Sequence, residues 1–173
     1  MWKNHIIRLY VIIMRRFEKV KEEVFKRDIP NSNYGDIILP KRSTKYSAGY
    51  DFYSVLDFTL NPGERKVIPT GIKCMMEDNE YLAIYIRSSL GFKYNVRMCN
   101  QVGIIDKDYY GNKENDGHIM VALKNEGDKV LEIKKGDRFV QGIFTPYFIT
   151  DDDMAIGDRI GGIGSTNGDD NDE

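Results

Sequence analysis

The chain has 173 residues, 41% of them hydrophobic and 30% charged, with 25 Lys and Arg against 27 Asp and Glu for a formal net charge of −2. That is the size and apolar content of one domain with a real core, and it excludes disorder throughout. The lack of a basic excess speaks against nucleic-acid binding driven by bulk charge; two cysteines, Cys74 and Cys99, cannot make a disulfide framework and fit a reducing, cytoplasmic setting; His5 and His118 lie too far apart for a zinc site of the usual spacing.

Residues 1–13 are apolar, but Arg8 interrupts the run and Arg15 and Arg16 follow it. A membrane span needs about 20 apolar residues, and no small-residue cleavage site marks a secretory signal. The segment reads as a start-site artefact before Met14 or a disordered leader; a buried first strand or helix is the competing reading. Over 14–27, Phe17, Val20 and Val24 are spaced by three and four with Lys and Glu between them, which predicts a short helix ended by Pro30. The NSNYG stretch, 31–35, reads as a linker. Residues 1–35 are thus expected to be an N-terminal extension.

From 36 to 150 the pattern changes to short runs rich in Val, Ile, Tyr and Phe: DIILP, YDFYSV, DFTL, RKVIPTGIKCMM, YLAIYIRS, HIMVALKN, KVLEIKKG and RFVQGIFTPYF. Turn residues such as NPG, NEG and KKGD break them. Strands this short and frequent predict an all-β barrel or sandwich. Only 87–95, RSSLGFKYN, has room for a helical turn or two. NKENDGH, 112–118, reads as a polar hairpin tip. Residues 151–173 are expected to form a C-terminal arm that ends in an acidic tail.

Five clusters of small, polar and acidic residues interrupt the strand pattern. In Ser47-Ala48-Gly49-Tyr50-Asp51 the glycine allows a tight backbone and the aspartate offers a carboxylate to a hydrated cation; a strand-entry turn is the plainer reading. In Arg87-Ser88-Ser89-Leu90-Gly91 a guanidinium, two hydroxyls and backbone N–H groups suit phosphate oxygens; a capped helical turn with a surface arginine competes. In the segment 100–111, Asn100 to Gly111, an apolar stretch runs into Asp106, a carboxylate that could activate water, unless its aspartates only form a turn. In 136–141 Phe139 would face away from Arg138 and Val140 in a regular strand. There Asp137 and Arg138 suit a structural link, and Gln141 offers an amide to a phosphate. In 159–166, Arg159 to Thr166, glycines and hydroxyls can wrap a polyphosphate; neither a Walker A loop nor a dinucleotide fingerprint is present, and a plain tail is the alternative.

These five clusters, in this order from about Leu39 to Thr166, resemble the five motifs of the trimeric dUTPases, each weak singly and specific together. The resemblance implies a β-clip, a distorted jelly-roll barrel, and a homotrimer with three sites shared among subunits, each closed by a C-terminal arm. It implies hydrolysis of dUTP to dUMP and pyrophosphate with Mg²⁺, which keeps uracil out of DNA and supplies dUMP for thymidylate synthesis. By position, Asp106 corresponds to the carboxylate that orients water toward the α-phosphorus. Asn100, Gly103 and Ile105, on the 100–106 hairpin, correspond to the uracil readers, and Tyr109 to the ring against the deoxyribose. Arg87, Ser88, Ser89 and Gln141 correspond to phosphate binders, and Asp51 to the aspartate that holds water on the magnesium. Arg159, Gly162, Ile163, Gly164, Ser165 and Thr166 correspond to the lid.

Three positions depart from the family pattern. Ile163 replaces a base-covering phenylalanine, Arg159 stands one residue closer to the glycines, and Tyr110 replaces an arginine or glutamine. Two other readings are open. A dCTP deaminase shares the Arg-Ser-Ser segment but needs a glutamate where Tyr110 stands. A silent nucleotide-binding trimer would be expected to have lost Asp106, Arg87 or the glycine arm. A regulatory protein partner also stays open, with the extension and 112–118 as the places to look for it.

Overall fold

The computed structural model describes residues 14–157 together with Arg159, Gly161 and Gly162. Residues 1–13 and the lid positions Ile163, Gly164, Ser165 and Thr166 lie outside the described residues. Eleven short strands and two short helices follow one another within the described part: β1 (Arg16–Lys19), α1 (Glu22–Asp28), β2 (Tyr50–Tyr53), β3 (Phe58–Leu60), β4 (Arg65–Pro69), β5 (Ile72–Met75), β6 (Glu80–Ile86), α2 (Ser88–Tyr94), β7 (Val96–Met98), β8 (Gly103–Ile105), β9 (Met120–Asn125), β10 (Leu131–Ile133) and β11 (Arg138–Pro146). They pair antiparallel in four small sheets: β1–β5, β10–β3, β2–β11–β6–β8 and β4–β9–β7. The expected all-β class is what these residues form.

Alternation accounts for most of the core. In β9, Val121, Leu123 and Asn125 turn inward and their neighbours outward. Buried Asn125 gives its amide to the Leu60 carbonyl at 2.9 Å and to the Lys129 carbonyl at 2.8 Å. With those bonds made, its burial costs little. Phe52, Phe139, Leu60, Ile72, Leu82 and Leu123 are among the fully enclosed side chains between the sheets. The left-handed backbone at Gly71 lets the run 65–76 break into β4 and β5 rather than continue as one strand.

Two expectations fail near the N-terminus. Residues 14–27 do not form one helix: 16–19 are a strand, and the helix begins at Glu22. The reason is tertiary. The Phe17 ring enters an aromatic group, its centre 5.2 Å from that of Tyr50, 5.5 Å from that of Phe52 and 5.5 Å from that of Phe144. Meanwhile β1 supplies hydrogen bonds to the edge of β5. The helix α1 then puts Phe25 fully into the core with Val24 partly buried beside it, while Phe17 and Val20 of the expected stripe reach the same core from outside the helix. Its charges suit the helix dipole, Glu22 and Glu23 first, Lys26 and Arg27 last. DIILP is not a strand either. Its first residue closes a 3₁₀ turn (Tyr34–Asp36), Ile37 is buried, and Ile38 and Leu39 are each 39% exposed with no partner strand among the described residues.

Candidate functional site

The first site grows from the β2–β11–β6 face and the start of α2. Strand β2 sets Asp51 opposite Gln141 of β11, which in turn lies opposite Tyr85 of β6. The chain leaves β6 at Arg87 and enters α2, which follows the 87–95 expectation, at Ser88 and Ser89. A cavity of about 210 Å³ is lined by Ser43, Gly49, Asp51, Arg87, the two serines and Gln141, among others. Asp51 is buried at its centre. One carboxylate oxygen meets Arg87 Nε at 2.9 Å; the other accepts from Ser43 Oγ at 2.6 Å and Arg138 Nη1 at 3.1 Å. Two guanidinium groups around one carboxylate leave the site with a positive surplus, beside two hydroxyls and an amide. Such an array is suited to hold a multivalent anion. Gly49 leaves room for the Gln141 amide over it: a Cβ there would stand well inside contact distance of Gln141 Oε1, so that side chain would have to move away from its place in the site.

The second site is a hairpin and the loop after it. Met98 N-terminal to the turn and Gly103 of β8 bracket Asn100 and Gln101, the latter at φ +62°. Among the described residues strand β8 is an edge, paired with β6 on one side, so part of its backbone donors and acceptors face a neighbouring cavity rather than a strand. This cavity, about 240 Å³, is lined by Asn100, Gly103, Ile105, Asp106, Tyr109 and the methionines Met98 and Met120, among others. Asp106 opens a 3₁₀ turn, Lys107–Tyr109, that tucks Tyr109 inward. The Tyr109 hydroxyl donates to the His118 carbonyl at 2.9 Å and accepts from Asn115 Nδ2 at 2.8 Å. Burial raises its phenol above the ordinary value.

The two sites are separate in one chain. From Asp51 to Ile105, the residue before Asp106, the path crosses from β2 over β11 and β6 to β8, with a register offset from Tyr85 to Leu82 along β6. Ordinary strand spacing and rise make that separation roughly 17 Å. Among the described residues of the arm, Arg159 and Gly162 lie at the second site. Arg159 pairs with Asp106 at 2.7 Å and Asp108 at 2.8 Å, with its guanidinium 5.6 Å from the centre of the Tyr109 ring. Gly162 donates its N–H to Glu114.

Several participants were not singled out from the sequence. Arg138 bonds Asp51, and Asp137 instead accepts from the Lys134 N–H at its own turn, so the expected Asp137–Arg138 link does not form. A bulge between Arg138 and Val140 is the cause: it buries Phe139 and Val140 together, against strict alternation, and turns Arg138 toward β2. Ser43, Asn115 and the two pocket methionines carry no motif of their own, and Asp108, inside the third cluster, reads from the sequence as no more than a turn residue. Among the described residues, no group of three or more His, Cys, Asp or Glu could hold a metal ion. Asp51 has most of its lone pairs engaged by Arg87, Arg138 and Ser43, so a cation would meet it through water, with phosphate oxygens as its direct ligands.

Comparison with known proteins agrees in region and fold. The dUTPase family model matches residues 35–159. A deoxyuridine 5'-triphosphate nucleotidohydrolase of Lactococcus lactis is 46% identical over 132 residues, covering 75% of this chain and 88% of the relative. The crystal structure of dUTPase from Streptococcus mutans is similar with a TM-score of 0.65 and 35% identity, over 79% of this chain and 98% of that one. A mutant dUTPase from phage phi11 of S. aureus, described as coordinating a structural Mg(II) ion, shares the fold at TM-score 0.62 and 18% identity, over 82% and 96% of the two chains.

Proposed function

This chain belongs to the dUTPase family, and from that premise we propose that it hydrolyses dUTP to dUMP and pyrophosphate at sites built jointly by the copies of a homotrimer. The observation that carries the shared site is the width of sheet between Asp51 and Asp106 within one chain. A nucleotide whose α-phosphorus is attacked by water held on Asp106 has its phosphates close beside that carboxylate. The Arg87 cluster of the same chain is beyond their reach; that of a second copy is not.

In this reading the hairpin of one copy takes the uracil on the backbone of 100–105, with Asn100, Gly103 and Ile105 at its edge and the Tyr109 ring against the deoxyribose. Cytosine would set an amine against a backbone donor and leave both unpaired, a mismatch that discriminates well. Asp106 orients the water and takes up its proton as the bond to the α-phosphorus forms. The second copy receives the phosphates on Arg87, Ser88, Ser89 and Gln141, with Asp51 holding Arg87 in place. Arg138 adds a further positive charge. A magnesium ion carried in with the triphosphate would neutralise the leaving pyrophosphate, with Asp51 meeting it through water. Arg159 leaves Asp106 when substrate enters. Arg159, Gly162, Ile163, Gly164, Ser165 and Thr166 then close on the outer phosphates as a lid, excluding bulk water.

The deaminase reading has less support. At the position where it needs a glutamate, the Tyr110 hydroxyl is engaged by Glu18 at 2.6 Å. A cytoplasmic location suits the free thiols Cys74 and Cys99, and no helix among the described residues is long and apolar enough to cross a membrane. The test offers dUTP, dCTP, dTTP and UTP with Mg²⁺ and follows monophosphate, pyrophosphate and ammonia. Rapid release of dUMP and pyrophosphate from dUTP, with far slower turnover of UTP, is the expected result; ammonia from dCTP, or no turnover of dUTP, would reject the proposal.

A further inference from the structure

We propose that the 112–118 loop, braced from behind by Asp28 through His118, is a clamp on the Tyr109 hydroxyl that sets how strictly the site refuses a ribose. The inference rests on the placement of Tyr109 against the sugar in the preceding section. It concerns residues that no motif includes, one of them before the start of the 35–159 family match.

The loop is built around Tyr109. Asn115 gives its amide N–H to the hydroxyl, and its own orientation is fixed, because Oδ1 accepts from Asn112 Nδ2 at 2.7 Å and from the Gly117 N–H at 3.1 Å. Asn112 also donates to the Tyr109 carbonyl at 2.8 Å and accepts from the N–H groups of Glu114 and Asn115. Gly117, at φ +82°, lies so close that a Cβ would stand 2.7 Å from the Tyr109 carbonyl oxygen. Both polar faces of the hydroxyl and the backbone on either side of the ring are therefore held by one loop.

That loop is anchored in turn. The fully buried His118 imidazole accepts the Gly71 N–H on Nε2 at 2.8 Å, so Nδ1 carries the hydrogen and gives it to Asp28 at 2.7 Å. The Arg27 guanidinium reaches the Glu114 carbonyl at 3.0 Å, and Asp116 accepts from the Lys21 N–H and from Lys73 at 2.8 and 2.9 Å. The segment that looks like an extension is the backing of the pocket wall.

A stiff wall has a specific use here. A pocket rejects one added hydroxyl only modestly when its wall can give way; overpacking is costly when it cannot. Asn115, His118 and Asp28 are thus positioning residues, acting through Tyr109. The experiment measures kcat/KM for dUTP and for UTP in the full-length enzyme. Tyr109→Phe keeps the ring and removes the tether, and is expected to lower the dUTP-to-UTP preference roughly tenfold, as loss of two hydrogen bonds allows. Asp28→Ala is expected to lower it severalfold, and Asp28→Asn, which still accepts from Nδ1, to restore it. Thermal unfolding separates these effects from loss of fold, since a merely structural role would lower stability without moving the ratio. A wild-type enzyme that prefers dUTP, with the ratio unchanged in both Tyr109→Phe and Asp28→Ala, overturns the clamp alone. A wild-type enzyme that leaves dUTP intact overturns the function and the clamp together.

Discussion

The Arg87 cluster and the Tyr109 pocket hold their side chains by different means. Around Asp51 order comes from charge: two guanidinium groups are aimed by one buried carboxylate, on strands whose register is fixed by β11 pairing on both sides. Around the Tyr109 hydroxyl order comes from hydrogen bonds of amide and backbone groups within a loop, and charged partners stand behind that loop, where Asp28 accepts from His118 and Asp116 from Lys73. A charge-held site recognises charge and tolerates variation in shape; a hydrogen-bonded wall recognises shape. Under the proposed function, that division would suit a triphosphate at one site and a nucleoside at the other.

The contrast can be broken most strongly at Asp106. Asp106→Asn keeps the size and the capacity to bind, and removes the proton acceptor; kcat should fall about 10²–10⁴-fold with little change in nucleotide affinity. Near-normal kcat would remove Asp106 from that role. The next effect is at Asp51. Asp51→Asn leaves Arg87 and Arg138 facing each other, and kcat/KM should fall about 10–100-fold, mainly through weaker phosphate positioning. Because Arg87 and Arg138 are partly exposed, the stability cost should be about 1–2 kcal/mol, below that of a fully buried pair. Denaturant titration with steady-state kinetics checks both, and a stability loss without a kinetic one would make Asp51 structural only.

The smallest effect sharpens the other side. Burial depresses the His118 imidazole below its ordinary 6.5, against the pull of Asp28. The folded state therefore binds fewer protons than the unfolded chain just below pH 6.5. Stability from this group is complete above that value and is lost as pH falls toward the lowered folded value, by at most about 1.4 kcal/mol per pH unit. Asp28, which burial pushes up but Arg27 and His118 hold below its ordinary range, adds loss only below pH 3.8. Denaturant midpoints at about pH 7.5 and about pH 5.5, on either side of the ordinary imidazole value, should differ in the wild type and converge in His118→Gln; equal slopes would mean that His118 does not titrate with unfolding.

What the sequence makes readable follows from range. Strands such as β6, β9 and β11 announce themselves because alternation and β-branched residues act locally, and the five clusters stand out because small and acidic residues interrupt that alternation. β1 does not, since its conformation is decided by β5 and Tyr50, Phe52 and Phe144, while its local spacing of Phe17, Val20 and Val24 imitates a helix. Arg138 is hidden by a bulge, which a period of two cannot show. The 112–118 loop reads as a hairpin tip because its asparagines bond to a tyrosine just before it and its histidine to a helix far before it. Five short polar clusters are enough to indicate the family, while the supports behind Tyr109 emerge only when the chain is folded.

The shared site is tested most directly by mixing two inactive variants. Asp106→Asn chains and Arg87→Ala chains are each dissociated, mixed in equal amounts and reassembled. If each site takes Asp106 from one copy and Arg87 from another, random assembly leaves both residues intact in about a quarter of sites, and about a quarter of wild-type turnover should return. If one chain supplies both residues, no mixture holds an intact site, and activity that stays at the level of the separate variants would contradict the account.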